Sequence, residues 1–155
     1  MSHLIVDGAN ILHAWEELRR VALRDVPSAR SQLIQQLAVV HDGEQIRLTI
    51  VFDGRGKELA VEHPFQQPTL SVIHTPSSLT ADDVIEQMVA NSATPAKCCV
   101  ATDDRAERET VMAAGAMTMD SEGLRGWVRR VQSVQRNSVQ KLRTANNQQW
   151  KAKAP

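Results

Sequence analysis

The chain has 155 residues, 42% of them hydrophobic and 23% charged, a composition typical of one globular domain. No apolar run approaches the ~20 residues that span a bilayer, and Met1-Ser2-His3 lacks the charged start of a signal peptide. Neither a membrane protein nor an exported one is therefore expected. Adjacent Cys98 and Cys99 lie in an apolar run, which favours two reduced, buried thiols in a cytoplasmic protein.

The net charge of zero conceals two oppositely charged regions. Residues 1–120 contain 10 Lys/Arg and 17 Asp/Glu, a net of −7, whereas residues 121–155 contain 8 Lys/Arg and 1 acidic residue, a net of +7. An acidic body can concentrate carboxylates around a metal ion, and a basic segment attracts phosphates. A solvated helix end that binds nothing is an equally good interpretation of the basic segment.

The hydrophobic pattern predicts strands and helices in alternation. Short apolar runs indicate strands, and apolar residues recurring every three or four positions indicate helices. The predicted strands are 4–6, 46–52, 70–73, 97–101 and 116–119, and the predicted helices are 9–23, 27–42, 81–91, 105–114 and one from about 121. The region 54–68, with two glycines and two prolines, is predicted as a loop, and 144–155 as a polar tail.

This order favours an α/β fold with a central parallel sheet of about five strands and helices on both faces. The continuous apolar strands agree with a sheet covered on both sides. One domain is predicted over residues 1–135, followed by a basic helix end and polar tail over residues 136–155. The functional site of such a sheet lies beyond the carboxyl ends of its strands, where strand order reverses.

Aspartates follow the predicted strand ends. Asp7 follows the first strand, Asp53 the second, and Asp103 with Asp104 the fourth, while Asp82 and Asp83 open the helix after the third. All these positions lie at one edge of a parallel sheet, so the side chains are expected to converge. Converging carboxylates repel one another unless a cation lies between them, and hard oxygen ligands suit Mg²⁺ or Mn²⁺. Such an ion can activate water and stabilise charge on a phosphodiester, which predicts phosphodiester hydrolysis.

Each aspartate also has an ordinary structural interpretation, because Asp-Gly is a common turn and Asp is a common helix N-cap. Asp83 is rotated by about 100° from Asp82 on the predicted helix and is expected to be solvated. Asp103 and Asp104 are adjacent, and the residues alone leave open which of them points inward.

Five short segments carry a family signature: LIVDGANI (4–11), HAWEEL (13–18), VFD (51–53), TADD (80–83) and TDDRAE (102–107). In order and spacing they resemble the YacP-like branch of the NYN domains, relatives of PIN nucleases, with its VDGYN, GAWPEL, TADE and TSDWAE motifs. The resemblance implies a PIN-like, Rossmann-like fold and an endoribonuclease that uses Mg²⁺ or Mn²⁺, leaving 5′-phosphate and 3′-hydroxyl ends.

The resemblance also implies roles for individual residues. Asp7, Asp82 and Asp104 would bind the ion with Asp53 nearby, and Asn10 would orient water or the scissile phosphate. In this register, Asp104 is the family aspartate and its neighbour at position 103 is an additional acid.

The chain departs from the family pattern at two positions. Ala9 replaces a common aromatic residue and Arg105 replaces a common tryptophan, which removes surface on which a base could stack. Arg105 could instead contact phosphate, as could Arg55 and Lys57 in the glycine-flanked loop. A salt bridge of Arg105 and a solvated loop at Arg55 and Lys57 are the plain alternatives.

The leading hypothesis is a metal-dependent endoribonuclease whose partner is RNA, with ribosome-associated mRNA as one candidate. The alternative is a catalytically weak or inactive NYN-like module that docks on RNA or a ribosome through the basic segment. A receiver-like signalling domain ranks last, because the chain offers only Lys97, which precedes the fourth strand, as the supporting lysine.

Overall fold

The computed structural model describes residues 1–153. Within this range the chain forms six strands and six α-helices. The strands are β1 (His3–Asp7), β2 (Arg47–Phe52), β3 (Ala60–Glu62), β4 (Leu70–His74), β5 (Cys98–Ala101) and β6 (Met117–Met119). The helices are α1 (Gly8–Ala14), α2 (Glu16–Arg24), α3 (Val26–Glu44), α4 (Ala81–Ala90), α5 (Arg105–Ala113) and α6 (Ser121–Lys153).

The strands form one sheet in the order β3-β4-β2-β1-β5-β6. Five of them are parallel, and β3 is antiparallel to β4 at one edge. The chain builds outward from β1 to β2 and β4, and then crosses back through α4 to β5 on the other side of β1. Strand order therefore reverses at β1, and the predicted α/β fold with helices on both faces is confirmed.

Two hydrophobic cores lie on opposite faces of the sheet. Leu4 and Val6 of β1 belong to the core beneath α1, α2, α3 and α6, whereas Ile5 belongs to the core beneath α4 and α5. Successive side chains of a strand alternate between its faces. Asp7, two residues after Ile5, accordingly points toward α4 and α5.

Both cysteines are free and buried, one in each core, which confirms the prediction of two unpaired thiols. No helix in the described part of the chain is long and apolar enough to cross a membrane.

Two local predictions were wrong. The region 54–68 is not entirely a loop, because its exposed residues 60–62 pair with the free edge of β4. The predicted helix 9–23 breaks at Trp15, whose backbone is extended (φ −85°, ψ 111°). The buried Trp15 indole donates a hydrogen bond to the Ser121 carbonyl oxygen at 3.1 Å, so a contact distant in sequence fixes this residue at the break.

Helix α6 packs on the body and then extends beyond it. Leu124, Val128 and Val131 are buried, and Gly43 of α3 lies against Val131 so closely that a Cβ there would be 2.5 Å from its side chain. Every described side chain from 133 to 148 is exposed, and we call this stretch the helical arm. The helix runs unbroken past residue 135 to Lys153, so the predicted polar tail is helical as far as it is described, and the domain division at 135 stays a prediction.

The close approach of α1 to β2 gives a stability prediction. A Cβ on Gly8 would lie 2.3 Å from the ring of fully buried Phe52, so Gly8→Ala should lower the free energy of unfolding by about 1–3 kcal/mol in urea titrations. The control is Gly56→Ala, whose Cβ would meet its nearest atom at 3.6 Å and should change stability by less than about 0.5 kcal/mol. Equal effects of the two substitutions would contradict the packing argument.

Candidate metal centre

Three carboxylates meet at the point where strand order reverses. Asp7 ends β1, Asp82 lies in the first turn of α4 and Glu107 in the first turn of α5. One oxygen from each lies within 4.8 Å of the others. Asp7 is 6% exposed and Glu107 1% exposed, while Asp82 is half-buried. We call these three side chains the carboxylate cluster.

Helix capping selects which acid of α4 enters the cluster. The Thr80 hydroxyl oxygen accepts a hydrogen bond from the Asp83 backbone N–H at 3.1 Å, and the Asp83 carboxylate accepts one from the Thr80 N–H at 3.0 Å. This reciprocal capping box starts the helix. Asp83 is thus engaged at the exposed helix end, which confirms that it is solvated, and Asp82 faces the cluster.

In α5, as in α4, one acid caps the helix and another enters the cluster. The carboxylate of Asp104 is exposed and accepts hydrogen bonds from the backbone N–H groups of Ala106 at 2.9 Å and Glu107 at 3.3 Å. Asp104 therefore caps the helix that carries Glu107 inward. The buried Thr102 hydroxyl donates to Glu107 Oε2 at 3.0 Å and accepts from the Asp104 N–H at 3.1 Å, which fixes both acids relative to the end of β5.

Asp53 holds the start of α4. Its carboxylate accepts a hydrogen bond from the Ala81 N–H at 2.8 Å, directly before Asp82. Asp53 and Asp104 both lie outside the three-carboxylate cluster that the described residues form. The resemblance implied Asp104 as a ligand with Asp53 in a supporting position, and Glu107 was not among the residues predicted from the sequence. The TDDRAE segment contains the pattern that could have indicated Glu107. This glutamate stands three residues after Asp104 and so lies in the first turn of the helix.

Asn10 and Asp103 connect the elements around the cluster. The Asn10 amide oxygen accepts a hydrogen bond from the Asp103 N–H at 2.7 Å. The Asp103 carboxylate in turn accepts from the N–H and the hydroxyl of Ser121, both at 2.7 Å. The sequence left open which of the two adjacent aspartates points inward. In the structure Asp103 faces the start of α6, and Asp104 caps α5.

The predicted phosphate contacts lie on the surface. Arg55 and Lys57 are exposed on the segment between β2 and β3. Arg105 is exposed as well, and its Nε lies 3.3 Å from Glu109 Oε1, an ion pair across one helical turn.

The cluster is electrostatically unfavourable without a cation. Burial raises the pKa of Glu107, and the neighbouring carboxylates of Asp7 and Asp82 raise it further. Burial is also the main cause that raises the pKa of Asp7, with the charge of Asp82 adding to it. Glu107 Oε1 is buried without a hydrogen-bond partner among the described residues, an arrangement that costs free energy.

This electrostatic cost predicts that Glu107→Gln stabilises the metal-free protein at pH 7. Folding raises the pKa of this carboxyl group, so the folded state favours the protonated form. The free energy of unfolding therefore falls as the pH rises above the pKa that the group has in the unfolded chain. At pH 7 the free energy of unfolding of the variant should exceed that of the wild type by about 1 kcal/mol or more. Near pH 4 the difference should be smaller. Thermal denaturation in EDTA measures both. Glu109→Gln, an exposed position on the same helix, is the matched control, and a destabilised Glu107→Gln at both pH values would contradict the prediction.

Comparison with known proteins places this geometry in a family. The model of the YacP-like NYN domain matches residues 4–154. YacP of Bacillus subtilis (strain 168) is 30% identical over 146 residues, which is 92% of this chain and 82% of that protein. The crystal structure of Rae1 (YacP) from Bacillus subtilis matches with a TM-score of 0.73 and 27% identity over 99% of this chain and 86% of that one. A tryptophan-to-leucine mutant of it matches with a TM-score of 0.72 and 27% identity, over 95% and 85%.

These matches confirm the resemblance carried by the five sequence segments. NYN domains belong to the PIN-like nuclease superfamily. Membership of that superfamily implies a nuclease-like function related to RNA. The chain is a member of the YacP-like NYN domain family.

Proposed function

We propose that the protein is a metal-dependent endoribonuclease of the cytoplasm that holds Mg²⁺ or Mn²⁺ between Asp7, Asp82 and Glu107. The observation that carries this proposal is the carboxylate cluster itself, with oxygens of all three residues within 4.8 Å of one another. A binding module that only docks on RNA would have no need to bury two such acids together.

The donor set fits a hard divalent cation. All three side chains offer carboxylate oxygens, which suit Mg²⁺ and Mn²⁺, and Glu107 Oε1 has no hydrogen-bond partner among the described residues. Two ligands are buried, while Asp82 is half-buried, so the solvent side of the cluster stays open to a phosphate group. When bound, the ion supplies Lewis-acid stabilisation of charge on the phosphodiester and lowers the pKa of water.

The remaining polar residues position this centre. We assign Asp53 and Asp104 to hold the starts of α4 and α5, so that Asp82 and Glu107 keep their spacing. The oxygen of the Asn10 amide is engaged with the Asp103 N–H, which leaves its NH₂ group to donate to a phosphate oxygen.

Cationic side chains supply attraction for the RNA backbone. Exposed Arg55, Lys57 and Arg105 are candidates for contacts near the centre. On α6, Arg136 and Arg143 are separated by seven residues, or about 10 Å along one face of the helix, and both are exposed. Residues 121–155 have a net charge of +7, which suits a polyanion. The substrate we propose is therefore RNA, with ribosome-associated mRNA as one candidate.

Cleavage of a labelled RNA tests the enzyme. We expect cleavage with Mn²⁺ or Mg²⁺ and none with EDTA, and 5′-phosphate and 3′-hydroxyl ends on the products. Asp7→Asn, Asp82→Asn and Glu107→Gln should each reduce the rate by about 100-fold or more, whereas Glu109→Gln should leave it unchanged.

The same assay distinguishes a residue that binds the metal from one that only caps a helix. Asparagine caps a helix about as well as aspartate, so Asp104→Asn and Asp53→Asn should retain most of the activity. A loss for Asp104→Asn as large as that for Glu107→Gln would instead make Asp104 a metal ligand. RNA binding by the wild type without cleavage in either ion would support the docking module and overturn the enzyme.

The helical arm gives a further prediction. The double variant Arg136→Gln/Arg143→Gln should weaken RNA binding in EDTA and reduce the slope of log affinity against log salt by about 2, one unit per lost phosphate contact. Lys141→Gln, about 160° from Arg143 on the helix, should change the slope little. Fluorescence anisotropy at several salt concentrations measures this, and an effect of Lys141→Gln equal to that of Arg143→Gln alone would contradict a specific arginine face.

A further inference from the structure

Ser121, the first residue of α6, is linked by hydrogen bonds to both ends of helix α1. It is only 8% exposed, and its N–H and hydroxyl each donate to the Asp103 carboxylate at 2.7 Å. The Asp103 N–H in turn donates to the side chain of Asn10, in the first turn of α1. The Ser121 carbonyl oxygen accepts from the indole of Trp15, directly after α1. We call the first two residues the Asp103–Ser121 clamp.

The clamp fixes the direction of the Asn10 amide. A backbone N–H only donates, so the Asn10 atom that faces Asp103 is the amide oxygen, at 2.7 Å. The NH₂ group of the same amide therefore points away from Asp103. The Asn10 backbone N–H donates to the Asp7 carboxylate at 3.3 Å, so this side chain belongs to the helical turn that begins at the carboxylate cluster. Rotating the amide by half a turn would bring two donors together, and the orientation persists while residue 103 keeps its place.

Neither the cluster nor helix capping explains where the Asp103 carboxylate lies. It is outside the three-carboxylate cluster that the described residues form, and Asp104 caps α5. Helix α6 has a cap of its own, because the Asp120 carboxylate accepts from the Gly123 N–H at 2.7 Å. The two bonds from Ser121 are therefore an additional link between segments 18 positions apart in the chain.

We propose that Asp103 and Ser121 are positioning residues, which hold the Asn10 amide so that its NH₂ group donates to the scissile phosphate. The role in cleavage rests on the proposed function. Charge on the phosphate oxygens changes during the reaction, and a donor that is already oriented stabilises it without a cost of reorganisation. An amide free to rotate would also present its oxygen to the phosphate, which repels it. Loss of the clamp should therefore lower kcat more than it raises KM.

Matched variants separate the clamp from helix stability. Asp103→Ala removes both bonds to Ser121, whereas Asp103→Asn keeps an acceptor for the Ser121 N–H and can donate to its hydroxyl oxygen. Ser121→Ala removes one of the two bonds and should have an intermediate effect. The control is Asp120→Ala, which removes the cap of α6 and leaves the clamp intact. Asp103→Ala and Asp120→Ala should both lower the melting temperature, because each removes a carboxylate from the same helix N-terminus.

The first readout requires no cleavage. Hydrogen exchange of the N–H of residue 103 is measured by NMR in the metal-free protein and corrected for the intrinsic rate of each side chain. Asn10→Ala removes the acceptor of this N–H, and both Asn10→Ala and Asp103→Ala should accelerate its exchange by about 10-fold or more. Asp103→Asn and Asp120→Ala should exchange at nearly the wild-type rate. Exchange at the wild-type rate in Asn10→Ala or in Asp103→Ala would overturn the clamp.

The second readout is cleavage of a labelled single-stranded RNA with Mn²⁺. Asn10→Ala and Asp103→Ala should each lower kcat by about 10-fold or more and change KM by less than about 3-fold. The double variant should be no slower than Asn10→Ala, because the clamp acts only through that amide. Asp103→Asn and Asp120→Ala should retain most of kcat. A double variant whose loss equals the product of the two single losses, or an Asp103→Asn as slow as Asp103→Ala, would overturn the positioning role.

The two readouts distinguish failure of the clamp from failure of the nuclease. Cleavage by the wild type together with an unchanged kcat in Asp103→Ala overturns the positioning role and leaves the nuclease intact. Accelerated exchange in Asp103→Ala, in a protein that cleaves RNA with neither Mn²⁺ nor Mg²⁺, overturns the nuclease and leaves the clamp as the element that orients Asn10.

Discussion

Mutual repulsion among Asp7, Asp82 and Glu107 is the constraint around which this fold is arranged. Two of the three carboxylates are almost completely buried, and burial and proximity both raise the pKa of Glu107. Such a group is stabilised by a cation or by a proton. The sheet topology creates the arrangement, because β1 lies where strand order reverses, and α4 and α5 begin beside its carboxyl end.

Aspartates that lie outside the cluster build the frame that holds it. Asp53, Asp104 and Asp103 accept hydrogen bonds from backbone N–H groups at the starts of α4, α5 and α6 respectively. Each places a negative charge at the positive end of a helix, which is favourable. Residues of one type thus have two roles at one edge of the sheet, and the local hydrogen bonds of each side chain decide which role it takes.

Acidic and basic side chains of this protein are concentrated in different regions of the chain. The acidic body places three carboxylates together in the cluster, where a divalent ion would offset most of their negative charge. The cations of the helical arm and of the β2–β3 segment are exposed.

The sequence by itself determined the parts of this protein that depend on short-range patterns. Apolar runs and helical periods predicted the parallel strands, and the motifs identified the family and placed Asp7 and Asp82 at the sheet edge, because strand ends and helix caps are local. Only the tertiary structure decided the rest. A carboxylate caps its own helix or turns toward another strand according to what packs nearby, and so Glu107 joins the cluster while Asp104 caps α5. The break at Trp15 and the pairing of β3 likewise depend on partners distant in the chain, Ser121 and β4, which periodicity does not encode.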